Sequence, residues 1–214
     1  MEDIAPEALV PDRPAAAMRP DLAALIGSRI CHDLNNPLGA IGNGLELMEL
    51  AGHKAGPEVA LIAQSVAAAK ARLQFLRIAL GAASPDSRMS GTEVAGIVAA
   101  HYGAGRLQID WPTGLAELPR DAVKRAFLVL MCLETAMPFG GQIAVIPGDE
   151  GWRFEASAAR MRTLDALWDG ATGAVPLTDI GAPLVQFALL PQAAACAGRR
   201  VRIETTEGRI IVEV

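Results

Sequence analysis

The sequence predicts an α+β protein in which an N-terminal antiparallel helical hairpin, residues 21–83, precedes an α/β sandwich, residues 91–214. Two observations predict this class. Apolar residues step by three and four through two long segments joined by a short Gly-containing connection, whereas strand-like and helix-like periods alternate after residue 91. In addition, hydrophobic residues make up 51% of the chain but aromatic residues only 4%, so the core must be built mainly from aliphatic side chains.

The first predicted helix begins at Asp21, an acidic residue that suits a helix N-terminus, and runs to Leu50. Its apolar residues step by four, three, four and three: Leu34, Leu38, Ile41, Leu45 and Met48. This is the spacing of a heptad seam. Such a helix would be roughly 45 Å long at about 1.5 Å per residue.

A second helix is predicted from Glu58 to Leu80, after a connection over residues 51–57. It repeats the heptad stepping at Ile62, Val66, Ala69, Leu73, Leu76 and Leu80. Two helices joined by so short a connection form an antiparallel hairpin. A single hairpin cannot bury both seams, so we expect two copies to pair as a homodimer with a four-helix bundle.

The best linker candidate is Ala82–Ser90, which contains serine and proline. Beyond it we predict a helix capped by Thr92, a strand, a longer helix, a strand hairpin, two further helices and a terminal hairpin around Glu207-Gly208. The predicted boundaries are 92–101, 106–111, 121–137, 142–146 with 152–156, 163–168, 183–197, and 200–205 with 209–214. This order predicts helices layered on an antiparallel or mixed sheet.

Composition argues against several function classes. The formal charge of −5 does not suit nucleic acid as the main partner. Residues 1–20 begin with acidic residues and contain several prolines, so they predict a flexible arm rather than a signal peptide. No apolar run approaches the roughly 18 residues that span a bilayer, so we expect a cytoplasmic protein without membrane attachment. Cys31, Cys132 and Cys196 are far apart and in no cluster of metal-ligand spacing, so we expect reduced, mostly buried thiols and no bound metal.

The segment Arg29–Ile41 combines residue types that are unusual inside a helix. An interior proline such as Pro37 costs about 3 kcal/mol, and it leaves the carbonyl of Asp33 without its helical donor. A neutral His32 offers one nitrogen lone pair, while Asp33 can accept the hydrogen of the other nitrogen, directly or through water. Asn36 follows one turn later on the same face, where its amide can orient a phosphoryl oxygen or a water. These residue types favour a histidine that carries a phosphoryl group over a polar patch on a kinked helix.

Two features near this segment leave alternatives open. Arg29 precedes the histidine by one turn, where it either neutralises phosphate or is a solvated residue beside the seam. Gly39, Gly42 and Gly44 each cost about 1 kcal/mol relative to alanine in a helix. They either let a docking protein approach closely or let the two hairpin helices pack tightly. Elsewhere, His101 is expected to complement the dipole at the C-terminus of its helix.

The string His32-Asp33-Leu34-Asn35-Asn36-Pro37 resembles the phospho-acceptor motif of two-component histidine kinases. Over about residues 20–214, and most strongly in the first helix, where Gly39–Leu47 continues the pattern, the chain resembles the alphaproteobacterial histidine phosphotransferases of the ChpT type. The resemblance implies a dimeric phosphotransferase that takes a phosphoryl group from the receiver domain of a hybrid kinase and passes it to cell-cycle response regulators. The residues predicted to serve this chemistry are His32, Asp33 and Asn36, with Arg29 and Pro37 in support.

The α/β unit resembles a degenerate copy of the kinase ATP-binding domain, the Bergerat fold. Kinases of that family hold ATP and magnesium with an asparagine-rich helix and an Asp-x-Gly-x-Gly turn. Here the matching helix, residues 124–137, ends in Pro-x-Gly-Gly but contains no asparagine, and Asp169–Gly173 lacks the required spacing and is predicted to be a loop. We therefore expect no ATP and no other cofactor, with magnesium on the partner receiver. The alternatives are an ATP-dependent histidine kinase with divergent nucleotide motifs and a non-catalytic scaffold that binds receivers.

Overall fold

The hairpin predicted from the heptad spacing is present in the computed structural model, which describes residues 22–50, 56–83, 86–148 and 151–214. Helix α1 spans Leu22–Leu50 and helix α2 spans Pro57–Ala79, so both helix predictions are confirmed to within a residue or two. Proline at the first position of α2 follows Gly56 in an extended conformation, which suits a helix start because proline has no N–H to leave unpaired. For part of α1 only the backbone is described.

The remaining elements form the α/β unit. In chain order they are β1 Arg88–Ser90, α3 Gly91–Tyr102, β2 Leu107–Asp110, β3 Glu117–Pro119, α4 Arg120–Ala136, β4 Gly141–Gly148, β5 Gly151–Ser157, α5 Asp165–Thr172, a short 3-10 turn Ala182–Leu184, α6 Val185–Cys196, β6 Arg202–Thr206 and β7 Arg209–Glu213. The described ranges thus hold six α-helices and two sheets. The α+β class is therefore confirmed.

A five-stranded mixed sheet carries the helices of this unit. Its strand order is β2-β4-β5-β7-β6, with β2 and β4 parallel and the other neighbours antiparallel. Alternate residues point to opposite faces of a strand. The face that packs on the core is buried at Ile143, Val145, Trp152, Phe154, Ile210 and Val212. The other face carries paired charges, such as Arg153 with Glu155 and Glu213.

The hairpin and the α/β unit share one hydrophobic core. Phe75, Ile78 and Ala79, on the C-terminal half of α2, belong to the same buried cluster as the apolar residues of α3 and α4. The rings of Phe75 and Phe127 stack with centroids 4.3 Å apart. Near the end of α2, Lys124 Nζ donates to the carbonyl of Gly81 at 2.8 Å. Helix α2 therefore connects α1 on one side with α3 and α4 on the other.

Helix α2 also has the length and mean hydropathy, 1.2, that a membrane span needs. Within the described ranges it is the one helix that meets both criteria. Phe75 and Ile78, in the C-terminal part of the helix, are buried against the α/β unit, whereas Leu61 and Ile62 nearer its N-terminus are exposed. Packing on the α/β unit thus accounts for the C-terminal part of α2.

Three local predictions were wrong. Residues 88–90 of the predicted linker form β1, which pairs antiparallel with β3. The cap of α3 is Ser90, whose Oγ accepts from the backbone N–H of Glu93 at 3.4 Å, and not Thr92. The predicted loop at Asp169–Gly173 lies within α5 up to Thr172, and Gly173 ends the helix with a φ of 81°.

Candidate functional site

The segment with the histidine lies within α1, which stays helical through Pro37 to Leu50. The backbones of Arg29, His32 and Asp33 belong to this helix, but their side chains lie outside the described part of the structure. Asn36 and Pro37 are described and exposed. The predicted roles of these five residues therefore stay predictions.

The apolar seam of α1 divides into two halves. Leu38 and Leu45 are half-buried, whereas Leu34 is 48% exposed, Ile41 48% and Met48 44%. Helix α2 therefore covers part of the seam and leaves the other part facing outward.

The three glycines after the motif do not share one role. A Cβ built on Gly42 would lie 2.6 Å from Lys70 Nζ and 3.8 Å from a side-chain carbon of Val66. Built on Gly39 or Gly44, a Cβ would meet nothing within 4 Å. Gly42 therefore faces α2, where only the flexible end of Lys70 would have to move to admit a methyl group, while Gly39 and Gly44 face open space.

The same contacts fix the antiparallel register of the hairpin. A Cβ built on Gly27 would lie 3.9 Å from Leu80 Cβ, and Gly42 lies opposite Val66. In an antiparallel pair, each residue forward along α1 from Gly27 corresponds to one residue backward along α2 from Leu80. By this register His32 lies level with Phe75 and Leu76, and Asn36 lies level with Arg72. The histidine therefore lies at the height where α2 packs against the α/β unit.

His101 was predicted to complement a helix dipole with its charge, and this prediction was wrong. Its ring is half-buried and stacks on Phe75 with centroids 4.5 Å apart. Burial, with a smaller contribution from the nearby Arg72 charge, lowers its pKa from 6.5 to about 4. The imidazole is therefore neutral at neutral pH and acts as an aromatic packing partner.

The segment around Asp169–Gly173 is packed against neighbouring side chains. A Cβ on Gly170 would meet the side chain of Leu177, and Trp168 packs edge-on against Phe187 with centroids 5.1 Å apart. Between α6 and α4, Gln186 Nε2 donates to Thr135 Oγ1 at 3.0 Å. These contacts join α4, α5 and α6 into a packed layer.

Sequence reasoning missed one exposed group in this unit. Phe139 follows α4, is 69% exposed, and lies under the guanidinium of Arg160. The signal in the sequence is weak, since it consists of a phenylalanine between Pro138 and the Gly140-Gly141 pair. Its arginine neighbours come from distant segments and become apparent only in the folded chain.

A long helical hairpin that carries a His-Asp-x-x-Asn-Pro string and packs on an α/β unit defines the class of histidine-containing phosphotransfer proteins. Residues 91–209 match the family described as histidine phosphotransferase C-terminal domain. The chain is 36% identical over 196 residues to protein phosphotransferase ChpT of Brucella abortus (strain 2308), a match that covers 89% of this chain and 93% of that protein. A solved bacterial phosphotransferase is 30% identical with a TM-score of 0.63, covering 94% of this chain and 98% of that one. This chain belongs to the histidine phosphotransferase family.

Proposed function

We propose that this chain carries a phosphoryl group on His32 between receiver-domain aspartates, as the histidine phosphotransferase of a multistep phosphorelay. The observation that carries the proposal is the His-Asp-x-x-Asn-Pro string in a chain of this family, on a helix whose neighbouring residues Ile30, Leu34 and Asn36 are exposed to an incoming partner. The donor is the receiver of a hybrid kinase, and the acceptors are response regulators of the cell cycle.

In the first step a lone pair on a His32 nitrogen attacks the phosphorus of the donor's aspartyl phosphate. An N–P bond forms, the P–O bond to the aspartate breaks, and the donor carboxylate leaves. In the second step the carboxylate of an acceptor aspartate attacks the same phosphorus, and His32 leaves with the bonding electron pair. Transfer of this kind depends on in-line positioning and neutralisation of charge, and the receiver supplies the magnesium.

The neighbouring residues prepare the imidazole for attack. Asp33 accepts the hydrogen of the nitrogen that does not react, which fixes the tautomer and makes the reacting nitrogen more nucleophilic. Asn36 orients a phosphoryl oxygen, and Pro37 shapes the turn beside it. Arg29, one turn before His32, neutralises phosphate charge.

We further propose that the chain does not bind ATP and so does not phosphorylate itself. A triphosphate needs several backbone N–H groups and a metal anchor in an open cradle. Helix α4 offers no amide side chain for the metal, and Asp169–Thr172 is helical with Gly170 packed beneath Leu177. These contacts support a domain that keeps the kinase architecture without its nucleotide chemistry.

The functional unit is proposed to be a cytoplasmic homodimer built on a four-helix bundle. The hairpin leaves large apolar side chains on its surface: Ile30, Leu34, Ile41, Leu47, Met48, Leu50, Leu61 and Ile62. Exposed apolar area of this extent on two adjacent helices favours burial against a second copy.

The test mixes the purified chain with isolated receiver domains from the same organism, each labelled with radioactive acetyl phosphate. We expect label to move from at least one receiver to the chain, and to be absent from the His32→Ala variant. Transfer to no receiver would contradict the proposal. Label on His32 from ATP alone would instead identify a kinase, and receiver binding without transfer would identify a scaffold.

A further inference from the structure

Four residues of the α/β unit form a basic aromatic surface, which we call the Arg–Phe surface: Arg106, Phe139, Arg160 and Arg162. Phe139 is 69% exposed, and the guanidinium carbon of Arg160 lies 4.8 Å from the centre of its ring. Arg106 and Arg162 are exposed as well. We propose that this surface binds acidic side chains of a receiver domain while that receiver is docked at His32, an inference that rests on the proposed function.

The backbone holds these residues together without help from a partner. Gly141 N donates to the carbonyl of Arg106 at 3.3 Å, and Arg162 N donates to the carbonyl of Ala136 at 2.8 Å. Gly140 has a φ of 94° and lies so close to Arg106 that a Cβ would overlap its carbonyl oxygen. A surface that is already ordered loses little entropy on binding.

Charge indicates the chemistry of the partner. The chain is acidic overall, with a formal charge of −5, yet none of these three arginines forms an ion pair with another described residue. By contrast, Arg153 and Arg209 on the open sheet face are each bound by a glutamate at 2.9 Å or less. The Arg–Phe surface therefore has positive charge available to an acidic partner.

The stacked pair is suited to binding a carboxylate. A guanidinium lying on an aromatic face keeps its in-plane N–H donors free, and these donors match a carboxylate in a bidentate arrangement. A single exposed phenylalanine would need no explanation. Together with its stacked arginine and two further arginines, it has the composition of an interface anchor.

The position of the surface relates it to the histidine. Lys124 of α4 contacts Gly81, just after the C-terminus of α2, and Phe127, further along α4, contacts Phe75, further back along α2. Helix α4 therefore runs in the same sense as α1 relative to α2, and Phe139 follows the end of α4 that lies beyond the level of His32. A receiver seated on α1 over the open glycines Gly39 and Gly44 and extending across α2 towards the α/β unit would approach this surface.

A receiver has the complementary charge for a chemical reason. Its phosphoryl-accepting aspartate works with magnesium, which proteins bind mainly through carboxylates and water. The edge of a receiver that approaches a phosphohistidine is therefore acidic. A basic surface beside the docking site speeds encounter with such an edge and holds it in one orientation.

The test compares charge reversal at two places on the full-length chain. The variant Arg160→Glu/Arg162→Glu changes the Arg–Phe surface, and Arg200→Glu/Arg202→Glu is the matched control at the opposite end of the sheet. We measure the rate of label transfer to His32 against receiver concentration, using the receiver that transfers to the unsubstituted chain. We expect the half-saturating concentration to rise about tenfold in the first variant, with an unchanged maximal rate, and to change less than twofold in the control.

A second variant separates contact from general electrostatics. Phe139→Ala keeps all the arginines but removes the ring on which Arg160 stacks, and its half-saturating concentration should rise about fivefold without a change in salt dependence. Unaltered half-saturation in the Arg160→Glu/Arg162→Glu variant, or an equal rise in the control, would overturn the inference. If the unsubstituted chain accepts no label from any receiver, the proposed function itself fails, and that result is seen before any variant is measured.

Discussion

The half-buried ring of His101 shows how the surroundings decide between two roles for the same residue type. At the exposed C-terminus of a helix it would carry a positive charge, which interacts favourably with the negative end of the helix dipole. Here its neighbours are Phe75 and Tyr102, with ring centroids 4.5 Å away in both cases. Desolvation of the imidazole therefore outweighs the attraction of the helix terminus, and the neutral form is preferred.

This environment predicts a loss of stability in mild acid. The folded pKa of His101 is about 4 against 6.5 for the free side chain, so between these values the unfolded chain takes up a proton that the folded chain does not. The free energy of unfolding should fall as the pH drops through that window, by about 1 kcal/mol once partial exposure is discounted. Urea unfolding at pH 7.5 and pH 5, with the chain and with His101→Phe, measures the effect. A variant that loses as much stability as the unsubstituted chain would show that other groups cause the loss.

At the scale of the helix, α1 combines strong periodicity with residues that weaken it. Gly39 and Gly44 face open space, so they relieve no contact within the chain. Each still costs about 1 kcal/mol relative to alanine. A partner that approaches the helix backbone closely at these two positions is a consistent reason for them.

The double variant Gly39→Ala/Gly44→Ala should therefore be more stable and yet transfer phosphate less well. We expect the free energy of unfolding to rise by about 1 to 2 kcal/mol, because helix propensity improves without a clash. The receiver concentration that half-saturates transfer should rise, because two methyl groups now separate the surfaces. Gly42→Ala is the control, since its Cβ meets only the flexible end of Lys70 and the close side chain of Val66 on the covered face. Equal receiver binding by the double variant and the unsubstituted chain would assign the glycines no part in docking.

The elements differ in how far the sequence could predict them. Long helices such as α1 and α4 were predicted closely because their apolar period is sustained over many residues. Strand β1 was missed because its three residues are stabilised by pairing with β3, a contact that lies almost thirty residues away. The second half of helix α5 was missed because Asp-Gly and Thr-Gly pairs usually mark loops, whereas Leu177 packs over Gly170 and stabilises the helix.

The candidate site also contains parts that the sequence could predict and parts that it could not. The His32–Pro37 motif could be recognised from the sequence because its residues are contiguous. The register that sets its height on the hairpin depends on Gly27 and Gly42 meeting α2, which is a tertiary contact. The Arg–Phe surface is assembled from three distant segments, and no periodicity or motif connects them.

At the scale of the whole molecule, the core that joins α2 to α3 and α4 predicts a single cooperative unit. Phe75 is 1% exposed and stacks on both Phe127 and His101. Phe75→Ala should lower the free energy of unfolding by about 3 to 5 kcal/mol, because it leaves a cavity at this junction. The three tryptophans lie in the α/β unit, so their fluorescence reports that unit while far-ultraviolet circular dichroism is dominated by the helices. The two signals should unfold together in the unsubstituted chain and separate in the variant; coincident curves in both would mean that the junction does not hold the parts together.

The outward half of the hairpin seam predicts how the molecule assembles. Ile41 and Ile62 are each 48% exposed, on helices that already pack on one another. In a bundle of two copies they would be buried, so a charge placed there costs far more in the dimer than in the isolated chain. The variant Ile41→Glu/Ile62→Glu should therefore sediment as a folded monomer at concentrations where the unsubstituted chain sediments as a dimer. Val175→Glu, at a residue 53% exposed on the α/β unit, is the matched control and should leave the dimer intact. A monomeric unsubstituted chain, or a double variant that still dimerises, would place the twofold contact elsewhere and leave the exposed seam free for another protein.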